Sequence, residues 1–199
     1  WFGSQKIMKE NKDTFKVVRH TGVSFENIAG MDELKNEMSY AVDILKNPEI
    51  DIVVEAMGGI EPATSFMLTA MEHGKGVVTA NKAAVAAAFA KLHETAKANN
   101  VPFKFEASVG GGIPALTAIQ EALAGNEFTE VMGILNGTTN YILTKMTDLG
   151  LDYNDVLKDA QEKGFAEADP TADVEGIDVA NKLSILMALA FDHYVPPTE

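Results

Sequence analysis

Short apolar runs alternate with longer helical segments in the first half of the chain. Three of the runs are rich in β-branched or aromatic residues, at 51–55, 76–79 and 101–105. Segments of helical composition separate them, at 61–73 and 82–99, and the second of these is rich in alanine. Strands that alternate with helices predict an α/β fold, with a parallel sheet covered by helices on both faces. The run at 51–55 has the composition of a buried parallel strand.

The pattern changes after residue 105, where helical periodicity dominates. The sequence predicts four helices and one longer strand in this part, the helices at 115–123, 140–148, 152–163 and 176–191 and the strand at 127–135. We place a domain boundary near Glu106. The prediction is therefore a first domain of residues 1–105 and a second, α+β domain of residues 106–199.

Charge and composition narrow the classes of partner. The chain carries 29 acidic and 16 basic side chains, a formal net charge of -13, which disfavours nucleic acid and anionic membrane surfaces. The absence of cysteine excludes disulfides, thiolate metal sites and a cysteine nucleophile. No apolar run approaches the ~18 residues of a membrane span. We expect a cytoplasmic protein that acts on a small molecule.

Candidate ligand-binding residues follow the first two predicted strands. Gly58 and Gly59 come after the first strand, and Lys82 comes after the second. Ligands of parallel α/β sheets bind beyond the carboxyl ends of the strands. Lys82 begins a helix, where its charge opposes the helix dipole, so we expect a nearby group to compensate it. The alternative is a solvated lysine on a surface helix.

A glycine-rich loop, Gly110–Gly112, precedes the helix predicted at 115–123. It matches neither G-x-G-x-x-G nor the P-loop pattern, so a phosphate site is weakly supported. It fits equally a tight turn in which glycines supply positive φ and Pro114 begins the helix. Inward-pointing carbonyl groups that bind a hard cation are a third alternative. The loop's sequence alone leaves all three open.

Acidic residues and one lysine crowd the stretch 164–182. Glu167, Asp169 and Asp173 precede a helix that is apolar nearly all round and is therefore predicted to be buried. Asp178 and Lys182 stand four residues apart on that helix and so share one face. The pair is either a structural ion pair or the proton donor of a site whose carboxylates hold a substrate ammonium. The additional carboxylates upstream favour the site.

The histidines do not point to metal or triad chemistry. His20, His73, His93 and His193 show no metal-ligand spacing and no pairing typical of a serine nucleophile. We interpret them as ordinary surface or core histidines.

Five segments in order resemble homoserine dehydrogenase, over nearly the whole chain from about Asp51. They are DIVVEAMGG (51–59), VVTANKAAVA (77–86), FEASVGGGIPAL (105–116), GILNGTTNYIL (133–143) and GFAEADPTADVEGIDVANKL (164–183). The resemblance implies a Rossmann-type nucleotide domain, followed by a substrate and dimerisation domain. It also implies hydride transfer between NADPH or NADH and aspartate semialdehyde, in a homodimer or higher homo-oligomer.

The resemblance carries specific roles to residues of this chain. Lys182 matches the proton donor to the aldehyde oxygen, and Lys82 matches a lysine that reaches both cofactor and substrate. Glu167 and Asp178 match residues that hold the substrate's amino group, and Asp173 and Thr138 match positions that line the same pocket. Gly164 matches a cofactor contact, and Gly58 and Gly59 at the strand end are assigned to the cofactor as well. The resemblance also implies a monovalent cation, usually sodium, held largely through backbone oxygens of Glu106, Val109, Gly111 and Ile113.

One departure concerns the cofactor. The family begins with a strand and the motif G-x-G-x-x-G, whose backbone amides bind the cofactor pyrophosphate. This sequence contains no such motif. Its first residues match the interior of the family's first helix, and residues 6–15 match the remainder of that helix. We therefore expect a truncated Rossmann-type sheet that binds NADPH weakly or not at all, as calorimetry would show. Arg19 is a weak candidate for pairing with a 2′-phosphate.

Two other functions fit the same residues. One is a non-catalytic regulatory or assembly subunit that has kept the fold, and the other is a dehydrogenase of a related amino-acid semialdehyde. Aspartate semialdehyde dehydrogenase is excluded, because its chemistry needs a nucleophilic cysteine and this sequence has none.

Overall fold

The computed structural model describes residues 32–198, and their side chains from Ser39 onward. The chain divides into two compact units, Trp1–Asn47 and Pro48–Glu199. The described part of the first unit is helix α1, Asp32–Lys46. The helix predicted at 6–15 lies outside the described residues, as does Arg19, the candidate for pairing with a 2′-phosphate.

The second unit begins with a small parallel sheet. Its strands are β1 (Ile52–Glu55), β2 (Gly76–Thr79) and β3 (Phe103–Lys104), in the order β1-β2-β3. Val53 pairs with Val77, and Val77 pairs with Phe103. Three helices connect and cover the strands, α2 (Ala63–Glu72), α3 (Lys82–Ala87) and α4 (Phe89–Ala98). The predicted parallel α/β arrangement is confirmed, with a third strand that is shorter than expected.

The two faces of the sheet differ in burial. Glu55, Val77 and Thr79 share one face and are buried. Ile52 and Val54 point to the other face and are 57% and 71% exposed. The prediction that the first strand is buried is therefore wrong for these two side chains. Its composition is that of a strand covered on both sides, but each pleated face needs its own covering element.

The alanine-rich helix predicted at 82–99 is broken in the structure at Ala88. Ala88 has φ -128° and ψ 26°, outside the helical region, and separates α3 from α4. The Tyr194 hydroxyl donates a hydrogen bond of 2.7 Å to the carbonyl oxygen of Ala86. In a continuous helix, that oxygen would accept the amide of the residue four positions later. This tertiary contact coincides with the break, and no local signal in the alanines could reveal it.

Helices dominate the remainder of the chain, as predicted. They are α5 (Ala115–Thr117), which continues as a π-helical turn (Ala118–Ala122), α6 (Gly137–Leu149), α7 (Tyr153–Glu162), α8 (Thr171–Val174) and α9 (Ile177–Phe191). A single 3₁₀ turn, Glu106–Ser108, follows β3 and leads into the glycine-rich loop.

The strand predicted at 127–135 is wrong. This segment has an extended, irregular path, and no other described segment pairs with it as a strand. Val131 and Leu135 pack against the core, whereas Met132 and Ile134 are 82% and 76% exposed. The alternation that predicted a strand is thus present, but a strand also requires a hydrogen-bonded neighbour.

One hydrophobic cluster joins the sheet region to the later helices. Helix α9 packs against α3. The buried members of this cluster come from both sides of the predicted domain boundary and are Val85, Ala86, Phe89, Phe105, Val109, Leu116, Ile185, Leu186 and Ala188. A second cluster, formed by Ile142, Val156, Ala160 and Ala166, packs α6 against α7. The division into domains 1–105 and 106–199 stays a prediction.

In the described part of the chain, no helix combines the length and apolar character needed to cross a bilayer.

Candidate active site

A cleft of about 800 Å³ opens where the first turns of α3, α6 and α9 approach one another. Its size suits a small molecule, because ligand pockets are typically about 300–1,000 Å³. Most of the lining residues are of polar type, and they are Lys82, Asn136, Gly137, Thr138, Asn140, Tyr141, Thr144, Lys145, Gly164, Phe165, Asp173, Asp178 and Lys182. Of the predicted site residues, six lie in this cleft: Lys82, Thr138, Gly164, Asp173, Asp178 and Lys182.

Asp178 is the most buried carboxylate of the cleft, at 3% exposed. One of its oxygens, Oδ1, lies 2.7 Å from the Lys82 ammonium. The other, Oδ2, accepts hydrogen bonds of 2.8 Å from Lys182 Nζ and of 2.8 Å from Asn136 Nδ2. Asp178 also stands in the first turn of α9, where a negative charge is favourable for the helix dipole. Burial of this charge is therefore compensated on both oxygens.

The ionised form of Asp178 is favoured in the fold. Burial works against ionisation, but hydrogen bonds from Asn136, Lys182 and Lys82 outweigh it and hold the pKa of the Asp178 carboxyl below its ordinary value. The aspartate is thus a fixed negative charge between two cationic groups at neutral pH.

Lys182 lies one turn after Asp178 on the same face of α9, so the ion pair predicted from their spacing is confirmed. The Lys182 ammonium also donates a hydrogen bond of 2.6 Å to the carbonyl oxygen of Leu135. Its side chain is 17% exposed. A lysine ammonium has three protons, and these two acceptors leave one donor direction for a ligand in the cleft.

Lys82 is the first residue of α3, at the carboxyl edge of the sheet. Its side chain is 41% exposed, and its ammonium contacts Asp178 on α9. The expectation that a nearby group compensates its charge is confirmed, and the group is a protein carboxylate. The two lysines come from opposite sides of the predicted domain boundary, so the aspartate links both parts of the fold.

Asn81 fixes the turn that presents Lys82. Its side-chain oxygen accepts a hydrogen bond from the Ala84 amide, which caps α3, while its Nδ2 donates 2.8 Å to the Gly59 carbonyl. Gly59 has φ 81°, a conformation that favours glycine. Gly59, one of the predicted glycine pair, thus supports the strand-end turn through its backbone. Neither Gly58 nor Gly59 is among the residues that line the cleft, and their role toward a cofactor stays a prediction.

A buried glutamate supports the same turn. Glu55 is 5% exposed and accepts hydrogen bonds from the Thr79 hydroxyl at 2.5 Å and the Met57 amide at 2.6 Å. Thr79 in turn accepts a hydrogen bond of 2.9 Å from the Asn81 amide. The carboxyl ends of β1 and β2 are therefore held together by side chains as well as by the sheet.

Asn136 is a buried cleft residue that was not among the predicted site residues. It is 5% exposed and caps α6, its Oδ1 accepting hydrogen bonds of 2.8 Å from both the amide and the hydroxyl of Thr139. Its Nδ2 donates 2.7 Å to Asp173 Oδ1 and 2.8 Å to Asp178 Oδ2. The capping role has a sequence signal, since asparagine precedes a helical pattern. The contacts with the two aspartates have none, because they span 37 and 42 residues.

Three further predicted residues surround the cleft. Asp173 lies on α8 and is half-buried, with one oxygen engaged by Asn136. The Thr138 hydroxyl donates 2.8 Å to the Phe165 carbonyl oxygen, which ties α6 to the loop after α7. Gly164, with φ 76°, ends α7 as predicted and borders the cleft.

Glu167 is not brought to the cleft. Its side chain is exposed, and it is absent from the lining residues. Its carbonyl oxygen accepts a hydrogen bond of 3.2 Å from Gln161, which holds the loop after α7. The assignment of Glu167 to a substrate amino group stays a prediction.

The outer wall of the cleft contains an aromatic and basic group. Tyr141 stacks obliquely on Phe165, with ring centroids 4.9 Å apart, and Lys145 Nζ lies 5.7 Å from the Tyr141 ring. The Tyr141 hydroxyl also contacts Asp159 and Lys163. These wall residues were not predicted as site residues, because helical spacing by itself does not show which face borders a cleft.

The glycine-rich loop forms a tight turn. Gly110 and Gly111 have φ 82° and 60°, and the Ile113 amide donates 3.1 Å to the Gly110 carbonyl oxygen. The Glu106 carboxylate accepts hydrogen bonds from the amides of Leu116 and Thr117 at 2.9 and 2.8 Å. Partial burial opposes ionisation of Glu106, but these bonds and that of the Thr117 hydroxyl prevail and lower its pKa. Its carboxylate therefore acts as the cap of α5.

Two of the oxygens predicted to hold a cation already accept hydrogen bonds within the loop. The carbonyl oxygens of Glu106 and Ile113, two of the predicted donors, accept the amides of Val109 and Ala115 at 3.3 and 2.8 Å. Val109 is buried in the core and Ile113 is 67% exposed. Across the described residues, no group of three or more histidine or acidic side chains is placed to hold a metal ion. The cation set of Glu106, Val109, Gly111 and Ile113 stays a prediction.

Comparison with known proteins places these residues in a family. Residues 10–106 match the model of the homoserine dehydrogenase NAD-binding domain, and residues 114–199 match that of homoserine dehydrogenase itself. The homoserine dehydrogenase of a Synechocystis strain is 51% identical over 148 residues, which cover 74% of this chain and 34% of that enzyme.

Solved structures agree. A homoserine dehydrogenase from Thiobacillus denitrificans is similar with a TM-score of 0.74 and 46% identity, over 83% of this chain and 40% of that one. A hyperthermophilic archaeal homoserine dehydrogenase in complex with NADPH has a TM-score of 0.73 and 30% identity, over 77% of this chain and 48% of that one. The chain thus spans about a third to a half of the length of these relatives. With two adjacent family matches across nearly its whole length, the chain belongs to the homoserine dehydrogenase family.

Proposed function

We propose that this chain contributes the substrate pocket of an enzyme that interconverts L-aspartate 4-semialdehyde and L-homoserine with NADPH or NADH. The observation that carries the proposal is the buried Asp178, which is ion-paired with both Lys82 and Lys182 at the edge of one cleft. The substrate has an ammonium, a carboxylate and an aldehyde, so its pocket needs acidic and basic groups facing one another. The cleft supplies both kinds.

The Lys182 ammonium acts as the proton donor to the aldehyde oxygen and as the proton acceptor in the reverse direction. Its contacts with Asp178 and Leu135 hold the side chain in one orientation, which favours proton transfer from a fixed position. Asp178 keeps its negative charge and stabilises the ammonium when the cleft is empty of substrate.

The remaining polar groups orient the substrate. Asp178 and Glu167 are the residues proposed to hold the substrate ammonium, and Asp173 presents a further carboxylate at the cleft. Lys82, which is the more exposed of the two site lysines, has a charge suited to the substrate carboxylate or to a cofactor phosphate. Thr138 and Gly164 complete the pocket wall.

The polar groups of the cleft fit a nicotinamide cofactor beside the substrate. Lys82 lies at the carboxyl edge of the sheet, where dinucleotides bind in parallel α/β folds, and Gly164 offers an approach without a side chain. The similarity to an archaeal homoserine dehydrogenase in complex with NADPH supports this cofactor class. The bound nicotinamide supplies the hydride, and the residues of this chain supply orientation and a proton.

We also propose a homodimer or higher homo-oligomer that works in the cytoplasm. Its support is the exposed Met132 and Ile134 on the extended segment at 127–135, since adjacent exposed apolar side chains are typical of protein interfaces. The reduced nicotinamide cofactor that the reaction consumes supports the location.

Homoserine-dependent reduction of NADP⁺ and NAD⁺, followed at 340 nm on the full-length protein, tests the proposal. We expect turnover by the wild type and a decrease in kcat of roughly 10²–10⁴-fold for Lys182→Ala, because the proton acceptor is removed. Lys158→Ala is the matched control, since Lys158 also pairs with an acidic residue four positions away but is 76% exposed and lies outside the cleft.

The outcomes separate the alternatives. Wild-type protein without homoserine turnover, but with binding of a related amino alcohol, would indicate a different semialdehyde substrate. Turnover that is equal in wild type and Lys182→Ala would remove the lysine from the chemistry. A folded protein that binds neither cofactor nor amino alcohol would support a non-catalytic subunit.

A further inference from the structure

Asn136 occupies a position between the two carboxylates of the cleft. Its Nδ2 donates one hydrogen bond to Asp173 on α8 and one to Asp178 on α9, at 2.7 and 2.8 Å. A side-chain amide nitrogen has two protons, so both are used. The Oδ1 atom is also used, because it accepts the amide and hydroxyl of Thr139 at the start of α6. Both protons of the Asn136 amide nitrogen therefore bind carboxylates of the site.

We propose that Asn136 is a positioning residue of the active site, which holds Asp173 and Asp178 as two separate, aligned carboxylates and so fixes Lys182 indirectly. This inference rests on the proposed function for its catalytic consequence, but its structural part does not. Asn136 borders the cleft, but both protons of its amide nitrogen bind carboxylates, so it acts through the aspartates.

Charge explains why an amide is required at this point. Asp178 faces Lys82 from α3, Lys182 from its own helix and Asn136 from the start of α6, while Asp173 approaches from α8. Both aspartates share one neutral donor. If a carboxylate replaced the amide, three acidic groups would meet two ammonium groups, and one acid would have to bind a proton.

Capping alone would not need asparagine. Aspartate caps helices as well as asparagine does, because only the side-chain oxygen accepts the helix amide. The variant Asn136→Asp therefore keeps the capping oxygen of α6, removes the donor to the aspartates and places a third carboxyl group beside them. It distinguishes a positioning role from a purely structural one.

The experiment compares kcat, KM and their pH profiles for the full-length wild type, Asn136→Asp and Asn136→Ser. The serine variant keeps a capping oxygen but is too short to reach both carboxylates. Asp152→Ala is the control, because Asp152 caps α7 through the Asn154 amide on the exposed surface and its loss tests capping without the site. Melting temperatures and circular dichroism accompany each variant.

We expect Asn136→Asp to keep the circular dichroism of the wild type, to melt at a lower temperature because it adds a carboxyl group beside two others, and to lose at least about 10-fold in kcat/KM at pH 7. The acid limb of its pH profile should move up by about one pH unit or more, since a like charge raises the pKa of a carboxyl group. Asn136→Ser should lose kcat with a smaller shift in the same direction, because it removes the Asn136 hydrogen bond to Asp178 but adds no charge, and Asp152→Ala should keep both kcat and profile.

An Asn136→Asp variant whose kcat/KM and pH profile match the wild type would overturn the inference. If that variant does not fold, Asn136→Ser decides the matter, and unchanged kcat in a folded serine variant would likewise overturn it.

A titration of the aspartate carboxyl carbons by NMR makes the test independent of turnover. The pKa of Asp178 should be below the ordinary value in the wild type and should rise in Asn136→Asp. If the wild type does not oxidise homoserine, the proposed function fails, but this rise would still support the positioning role. An Asp178 carboxyl that titrates identically in both proteins would contradict it.

Discussion

At the scale of single residues, the cleft is organised around one buried charge. Asp178 binds an ammonium group on each of its oxygens, and the two lysines come from different helices. Removing a partner from a buried ion pair costs more than the pair contributes, because the remaining charges lose their compensation. The site and the local stability of the fold therefore depend on the same carboxylate.

Asp178→Asn is expected to destabilise the protein at neutral pH. It leaves Lys82 and Lys182 facing a neutral amide, which costs about 3–5 kcal/mol for a fully buried pair. Because Lys82 is 41% exposed and partly screened by solvent, we expect a smaller loss, of about 2–3 kcal/mol. Urea unfolding at pH 7 measures it, and Asp148→Asn on the exposed end of α6 is the control.

The same variant should change the dependence of stability on pH. The pKa of Asp178 is lowered in the folded state, so its stabilising contribution is fully present above the ordinary aspartate pKa of about 3.9. That contribution disappears as the pH falls through the lowered value. The difference in unfolding free energy between wild type and Asp178→Asn should therefore shrink below about pH 4. A constant difference down to pH 2 would contradict the assignment.

Sequence reasoning succeeded for residues whose relation is local. The pair Asp178 and Lys182 could be predicted, because four residues of helix place them on one face. Asn136 could not, since its partners lie 37 and 42 residues away and asparagine before a helix is fully explained by capping. The exposed side chain of Glu167 shows the same limit, because a loop's sequence does not determine which way each carboxylate points.

At the scale of elements, local signals predicted where helices begin but not where a tertiary contact interrupts them. Asn81, Asn136 and Asp152 each cap a helix with a side-chain oxygen, as their residue types indicate. No glycine or proline in the sequence near Ala88 predicts the break there. It coincides with the Tyr194 hydroxyl bond to Ala86, a contact across 108 residues.

Tyr194→Phe should test the contribution of that contact. The ring packs 5.8 Å from Phe89, centroid to centroid, and this packing is kept in the variant. Loss of the hydroxyl leaves the Ala86 carbonyl without this donor, and we expect the free energy of unfolding to fall by about 0.5–1.5 kcal/mol. Tyr153→Phe, at an exposed position on α7, is the control and should leave stability nearly unchanged. Equal losses of unfolding free energy in both variants would show that the hydrogen bond to Ala86 makes no particular contribution to stability.

The segment at 127–135, which was wrongly predicted to be a strand, illustrates a second limit of prediction from sequence. Its alternation is real, with Val131 and Leu135 directed inward and Met132 and Ile134 outward. A pattern in one segment reports burial of that segment only. It carries no information on whether a neighbouring strand is present to accept its backbone hydrogen bonds.

At the scale of the whole molecule, the parts on either side of residue 105 share a hydrophobic core. Phe89 and Phe105 belong to the same cluster as Leu116 and Ile185. The fold class could be predicted from the alternation of strands and helices, because that pattern repeats along the chain. The shared core could not, since it depends on how α9 returns to pack on α3.

This shared core predicts one cooperative unfolding transition for residues 48–199. Ile185 is fully buried on α9, and Ile185→Ala should lower the free energy of unfolding by about 2–5 kcal/mol. Leu183→Ala, two residues away and 40% exposed, should cost less than about 1 kcal/mol. Scanning calorimetry checks both. Two transitions, only one of which moves in Ile185→Ala, would show that the two parts unfold separately.

The bond between Lys182 and the Leu135 carbonyl oxygen has a mechanical consequence. It fastens the ammonium directly to the backbone of the segment whose Met132 and Ile134 face outward. Any surface that settles on those two side chains and shifts the segment would displace the anchoring oxygen, and the lysine with it. Events on the outside of the protein would thereby reach Lys182, the proposed proton donor, through the backbone of this segment.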